Sequence, residues 1–326
     1  MSKETLFAVG AGVFSAFAAT AFINQAPGAM MLVYLADLPL FLAGFAFGPQ
    51  SAAISGAAGF MISGMLGGGL SAGIFGLLQA LPVWLVVRQM LLQRPAIMAA
   101  PGGTGTARPD EGNVEWYPAG DMVCWLTMLV AAIMLVATVA GLSGDHGSLS
   151  ALISDNLDRM LQAMAPDWGP AQRTRMVDLM VPMFPGAIGI SWLVMTIFNA
   201  VMAQNILVKM KKAIRPTPAF VDLQLPQWIS WPLVAACALA LLGAGETEYT
   251  GRNLAMILSL PLFLLGLAVV HTWARGVKSG SWMVLVAFYL VLILSGWATL
   301  LVAGIGLIEL WSGLRHRMAK PTKIND

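Results

Sequence analysis

Charge is the scarcest thing in this sequence. Of its 326 residues only 10% are Asp, Glu, Lys or Arg, where a soluble domain carries roughly a quarter. A water-soluble globular enzyme is therefore the wrong class. Cysteine is nearly absent too. Cys124 and Cys237 both fall in apolar stretches, which leaves them as buried small hydrophobes and implies no disulfide framework. Three histidines, at 146, 271 and 316, are too scattered for a metal cluster. The zinc-protease pattern H-E-x-x-H and the Walker phosphate loop are missing, and no Lys-Ser/Thr pair follows the "GGTG" of 102–105. No catalytic activity, cofactor, metal or nucleic-acid partner is expected. Transport driven by ATP would need a separate ATPase as partner.

What is present is apolar. The chain is 58% hydrophobic with a mean hydropathy of +0.77. Its charges are clumped, and between them run nine apolar blocks: 5–25, 29–47, 50–67, 70–90, 121–142, 182–206, 229–245, 254–272 and 281–311. Most are near the ~20 residues that cross a bilayer, and none shows the ten-residue alternation of a membrane β-barrel. The expectation is an all-α, polytopic helical membrane bundle in contact with the lipid bilayer. Residues 1–326 form one integral membrane domain, with a four-helix first half (1–90), a linker (91–120) and a second half (121–326). The first block is longer than a signal-peptide core and leads straight into further blocks, so it reads as a retained anchor.

Lysine and arginine in the loops orient such a chain. Arg88, Arg94 and Arg108 place 88–120 in the cytoplasm, as Lys209, Lys211, Lys212 and Arg215 place 207–228. Segment 143–181 has five aspartates against three arginines and is expected outside, with 246–253. Counting back puts the N-terminus inside, on the cytoplasmic face of the membrane. The last block, 31 residues by its bounds, would place Arg315, Arg317, Lys320 and Lys323 outside as a single crossing. A break at Ser295-Gly296 would make it a hairpin and return the C-terminus inside. The stretch "APGGTGTARPDEGN" (100–113) reads as a flexible linker. In 148–181, Leu149, Leu152, Ile153, Leu157, Met160, Leu161 and Met164 recur at helical spacing, an amphipathic surface connector or a lid.

Small residues recur with purpose. Ala8, Gly12 and Ala16 stand every fourth position; Gly56, Gly64 and Gly68 continue the pattern with Ala52 and Phe60 in phase. Such stripes let helix backbones approach closely, either within one bundle or against a membrane protein partner. "LPLFLAGFA" (38–46) and "LPLFLLGLA" (260–268) agree at seven of nine positions, so a parallel repeat of two halves stands as an option. Each proline frees a backbone carbonyl that a neighbour must satisfy. Asp37 is ten residues past Pro27, about 15 Å down a helix. An ionisable group at that depth is costly and points to a site. Asp37 and Tyr34, together with Glu246, Tyr249, Arg252 and Asn253 of "GETEYTGRN" (245–253), are the candidate ligand-binding residues. Asp37 is expected to line a cavity open to the outer side near that loop. Its alternative is a structural aspartate bonded to a freed carbonyl. Asn199, Gln204 and Asn205 are candidate interhelical glue.

"YLADLPLFLAGFAFGPQSAAISGAAGF" (34–60), "LPLFLLGLAVVH" (260–271) and "GIGLIELWSGLRHR" (304–317) resemble motifs of the YybS-like family of bacterial membrane proteins, a domain of unknown function. Glu309 stands where that family leads one to expect an aspartate. The resemblance implies kinship with the substrate-binding S components of energy-coupling-factor transporters and with the rod-shape protein MreD. It therefore implies an S-component-like fold and two functions to weigh. One is a substrate-binding or transport subunit. The other is an MreD-like scaffold for envelope or division machinery with no small-molecule ligand.

Overall fold

The computed structural model describes residues 2–21, 28–98, 108–144, 147–276 and 281–315, with 96–98, 108–113 and 281 described by backbone alone. Pro27, the "GGTG" string, Asp145, His146, Lys278 and the basic tail from His316 onward lie outside the described residues. The expected all-helical class holds, with almost no sheet. The count of nine blocks is not supported: among the described residues five helices are long and apolar enough to cross a membrane, or up to six with one bent pair. The chain divides into two compact units, 1–122 with 194–218, and 123–193 with 219–326.

The first unit is built from α1 (Lys3–Thr20), α2 (Ala29–Tyr34), α3 (Asp37–Phe47), α4 (Pro49–Phe75) and α5 (Leu81–Met90). Gly48 takes φ +93 and ends α3, and Pro49 opens α4 at once. That glycine–proline pair is a stop and a start in two residues. Apolar stretch Pro49–Met90 is 42 residues long, far more than one bilayer crossing needs. It doubles back at Gly68, whose φ of +77 breaks the helix. Ser63 pairs with Ser71, and a methyl on Gly64 or Gly56 would meet Ala72 or Ala80. Those pairs are symmetric about the turn. Gly68 is therefore the bend itself rather than part of a packing stripe.

The small-residue stripe on α1 is internal. Ala8 and Ala16 have no exposed surface, and a methyl on Gly12 would overlap the Ser55 carbonyl oxygen of α4. Gly59 returns the contact through the Gly12 carbonyl. Leu40, Phe41, Val83 and Val87 complete the core of this unit.

The linker expectation is corrected in part. Strands β1 (Gln93–Met98) and β2 (Arg108–Trp116) pair antiparallel, with a register shift after Pro95, where the missing N–H breaks the ladder. Arg94 and Glu115 pair across it at 2.7 Å. Nearby Arg215 acts as a knot rather than a free loop charge. Its guanidinium donates to the carbonyls of Met90 (2.8 Å) and Tyr117 (2.9 Å) and lies over the Trp116 ring. Its own carbonyl accepts from Gln204. Burial pulls this guanidinium below its ordinary pKa.

The second unit is organised by α11 (Glu246–Gly276), 31 residues or about 46 Å long. Its first two turns are the segment expected as a loop. Gly245 at φ +59 precedes Glu246, and Glu246 and Glu248 occupy the first turn, where the helix dipole favours negative charge. Helices α6 (Ala119–Ser143), α7 (Leu149–Met164), α8 (Pro170–Met180), α9 (Phe184–Lys209), α10 (Ser230–Leu242), α12 (Ser281–Leu294) and α13 (Gly296–Ser312) complete the order. Of these, α6 and α9 each contribute residues to both units. Glycine sets the close contacts again: Gly266 meets the Val302 backbone of α13, Gly306 meets Leu262, and Gly251 meets α10 at Leu239–Ala240. The two halves of the nine-residue echo share this use. Gly44 abuts Val87 as Gly266 abuts Val302.

The prolines of the echo do not match. Pro39 sits in the first turn of α3 and Pro261 inside α11. The last apolar block breaks at Ser295, with a 120° bend between its helices. The amphipathic segment expected over 148–181 divides into α7, which buries Leu149 and Leu157, and α8, which buries Val177.

Candidate functional site

The first unit places a polar cluster where α2 gives way to α3. Pro39 has no N–H for the Leu35 carbonyl, and the helix does not continue through Leu35 and Ala36. The Leu38 N–H turns to Leu35 O instead, at 3.1 Å. That leaves the Tyr34 and Ala36 carbonyls to find other donors. Asn199 Nδ2 of α9 reaches Tyr34 O at 2.7 Å, and Ser15 Oγ of α1 reaches Ala36 O at 2.6 Å. Two neighbouring helices thus satisfy the freed carbonyls at the break, each through one side chain.

Asp37 is the first residue of α3 and has no exposed surface. Thr196 Oγ1 donates to its Oδ2 at 3.3 Å. Among the described residues its Oδ1 has no hydrogen-bond partner, and neither has Asn199 Oδ1; both atoms are buried. The Asn199 amide is not reversible, since Nδ2 serves two carbonyls, Tyr34 and Met195 (2.8 Å). No cation among the described residues pairs with Asp37. The side chain neither faces lipid nor lines an open cavity, contrary to the outward-open arrangement expected from sequence. Tyr34 contributes its carbonyl to the cluster, while 44% of the residue is exposed.

The other four candidates lie in the second unit, all on α11. Glu246 accepts from the Leu149 and Ser150 N–H groups (2.9 and 3.3 Å) and from Ser150 Oγ (2.8 Å). It caps α7 beside the true N-cap, Ser148, whose hydroxyl accepts from Ala151 N–H. Asn253 is fully buried; it accepts from the Gly186 N–H at 2.8 Å and donates to the Pro182 and Tyr249 carbonyls. Tyr249 is buried with an unpartnered hydroxyl. Arg252 faces the other way and pairs with Glu248 one turn back. Glu246 and Asn253 are occupied in fastening the 148–186 segment to α11.

Two further features stand apart from the sequence candidates. A cleft of about 380 Å³ is lined by Gln227, Ser230, Trp231, Val234 and Trp311. Its Ser230 hydroxyl is used internally, on the Gln227 carbonyl at 2.7 Å. A Gly-x-Ser-x-Gly string at 69–73 lies just past the α4 turn, inside helix and sharing a hydrogen bond with Ser63. A nucleophile elbow needs a strand before such a string. Among the described residues no three of His, Cys, Asp and Glu come together as a metal site.

Sequence reasoning found Asp37, Pro39 and Asn199 but missed Ser15 and Thr196. The signals were there: Thr196 is one turn from Asn199, and Ser15 adjoins the α1 stripe.

Apolar helices, a broken span and a buried acid define a multi-pass helical membrane protein. The chain matches a family model described as "Predicted membrane protein (DUF2232)" over residues 116–310, more than half its length, and it belongs to that family. The match takes in the 260–271 motif and the start of the 304–317 motif; the 34–60 motif lies outside it. No curated protein and no solved structure matches the chain.

Proposed function

We propose that the chain is a substrate-binding or transport subunit of the S-component type, without catalytic chemistry of its own. What carries this reading is the break at Leu35–Ala36. There a membrane helix is interrupted, its backbone groups are held by side chains from α1 and α9, and a fully buried acid stands at the gap. Interrupted helices of this kind line the sites of many transporters, because freed backbone and side-chain groups can meet a ligand inside the membrane. A helix that only packs needs no such gap. The closed break leaves Asp37 without accessible surface, so a ligand reaches it only when the break opens. On this reading the membrane is the bacterial inner membrane, with the N-terminus inside. An ATPase joins only if transport is driven by ATP.

The alternative is an MreD-like scaffold with no small-molecule ligand, which a carboxyl sealed from any open cavity also suits. The small-residue stripe on α1 adds nothing to it, because Gly12 is occupied by α4. Native mass spectrometry of the full chain after mild detergent extraction separates the two. A retained small molecule supports the binding subunit. A retained membrane protein with no small molecule overturns it.

A further inference from the structure

Two buried oxygens in the same cluster, Asp37 Oδ1 and Asn199 Oδ1, accept from nothing among the described residues. Both kinds of atom are strong acceptors, and buried polar groups are almost always paired. Asn199 has no donor left, because Nδ2 is committed to Tyr34 and Met195. The Thr196 hydroxyl has a single proton and gives it to Asp37 Oδ2. Among the described residues the donor left is Asp37 itself, and a carboxyl becomes a donor only when protonated.

We propose that Asp37 is a proton-binding site, that its acid proton on Oδ1 bridges to the Asn199 side-chain oxygen, and that this proton keeps the helix break closed. The pairing is within reach by topology. Thr196 and Asn199 are one turn apart on α9, and they bind Asp37 and Tyr34, one turn apart across the break. A proton needs no room, whereas a sodium ion would need space among oxygens that have none exposed. The inference rests on reading this break as the working site and names the ligand that controls it.

The surroundings offer an ionised Asp37 no help. Besides Asp37 and Tyr34, the charged or titratable groups on the elements packed against the break are Lys3 and Glu4 on α1 and Arg88 on α5; α4 has none. On α9 the nearest within this unit is Lys209. Lys3 and Glu4 are eleven or more residues from Ser15, and Lys209 is ten from Asn199, about 15 Å or more along their helices. Arg88 adjoins Val87, which packs on Gly44, two turns along α3. Among the described residues the side chain that bonds the carboxyl is Thr196, which is neutral, as is Asn199 one turn further along α9. Loss of the proton to water entering the gap leaves a carboxylate facing the Asn199 oxygen. Repulsion between the two separates α3 from α9 and exposes the break. Release and opening are one event.

The test is infrared difference spectroscopy on the full chain in detergent across a pH titration. A neutral-carboxylic-acid carbonyl band is expected to persist at pH values where an exposed aspartate is ionised, to vanish in Asp37→Asn, and to move in Asn199→Ala. The maleimide labelling rate of an Ala36→Cys variant, at a fully buried position of the closed break, is divided by that of an exposed Lys211→Cys to remove thiolate formation. The ratio should rise about tenfold per pH unit until the site is half ionised, and lose that pH dependence when Asp37→Asn is added. Should Asp37→Asn not fold, the band shift in Asn199→Ala decides alone. No such band, or a labelling rate set by sodium rather than pH, overturns the proposal. The band requires no substrate. A proton site without any retained small molecule would sink the transport reading and leave this one standing.

Discussion

Gly10 and Gly12 sit two residues apart on α1 and should respond oppositely to the same methyl group. At Gly10 nothing lies within 4 Å of the added carbon. Gly10→Ala should then gain the usual helix preference of alanine, about 0.5–1 kcal/mol. At Gly12 the added carbon overlaps the Ser55 carbonyl oxygen and comes within 2.9 Å of Ala58 Cβ and of the Gly59 nitrogen. Two of those three contacts are backbone, so no side chain can swing aside. The helices must separate, and Ala8 and Ala16, which are fully buried on the same face, lose contact with them. Overpacking of this kind costs about 1–3 kcal/mol, enough to outweigh the propensity gain. Thermal unfolding of both variants in one detergent, followed by tryptophan fluorescence, measures the difference. Gly12→Ala should melt below the parent and Gly10→Ala at or above it. Equal melting, with loss of a co-purifying protein only in Gly12→Leu, would refute internal packing and restore the docking face.

Other consequences are as direct. Asn253→Leu strands the Gly186 N–H and the Pro182 carbonyl, so stability should fall by about 1–3 kcal/mol for each group left unpaired; an unchanged denaturation midpoint would contradict the network. Arg315 pairs with Glu309 at 2.8 Å and also donates to the Val221 and Leu223 carbonyls. Breaking that buried pair through Glu309→Gln should cost about 3–5 kcal/mol, while Arg94→Gln, at an exposed pair, should cost under about 1 kcal/mol. A cysteine in place of Asp167 should label from outside the cell and one in place of Lys211 only after permeabilisation; labelling at 211 from outside would reverse the orientation.

The helical class was legible because a chain so poor in charge has one way to satisfy its backbone inside lipid. The bend at Ser295-Gly296 and the stop at Gly48-Pro49 were equally local. The number of spans was not, since hydropathy marks apolar length and says little about where a helix folds back. Gly68 shows both sides: the gap between the blocks 50–67 and 70–90 falls on it, while the small-residue stripe runs through it, and its φ of +77 makes it a turn. Glu246 and Asn253 looked like a polar loop because charge clusters mark helix N-termini and loops alike. Their partners, Ser150 and Gly186, are distant in sequence. Asp37 announced itself through the cost of its burial. Thr196 and Ser15 did not, since a hydroxyl in an apolar helix can also bond its own preceding turn, as Thr20 does with Ala16.

The most direct measurement of the binding claim is ligand retention by the parent chain and by Asp37→Asn, read by native mass spectrometry from the same mild extraction and set beside their melting curves. Asparagine keeps the shape of the protonated acid but cannot release a proton, so the break should stay closed. The account predicts a bound small molecule on the parent, none on Asp37→Asn, and closely similar melting. Equal retention by both, or none on either, would contradict it.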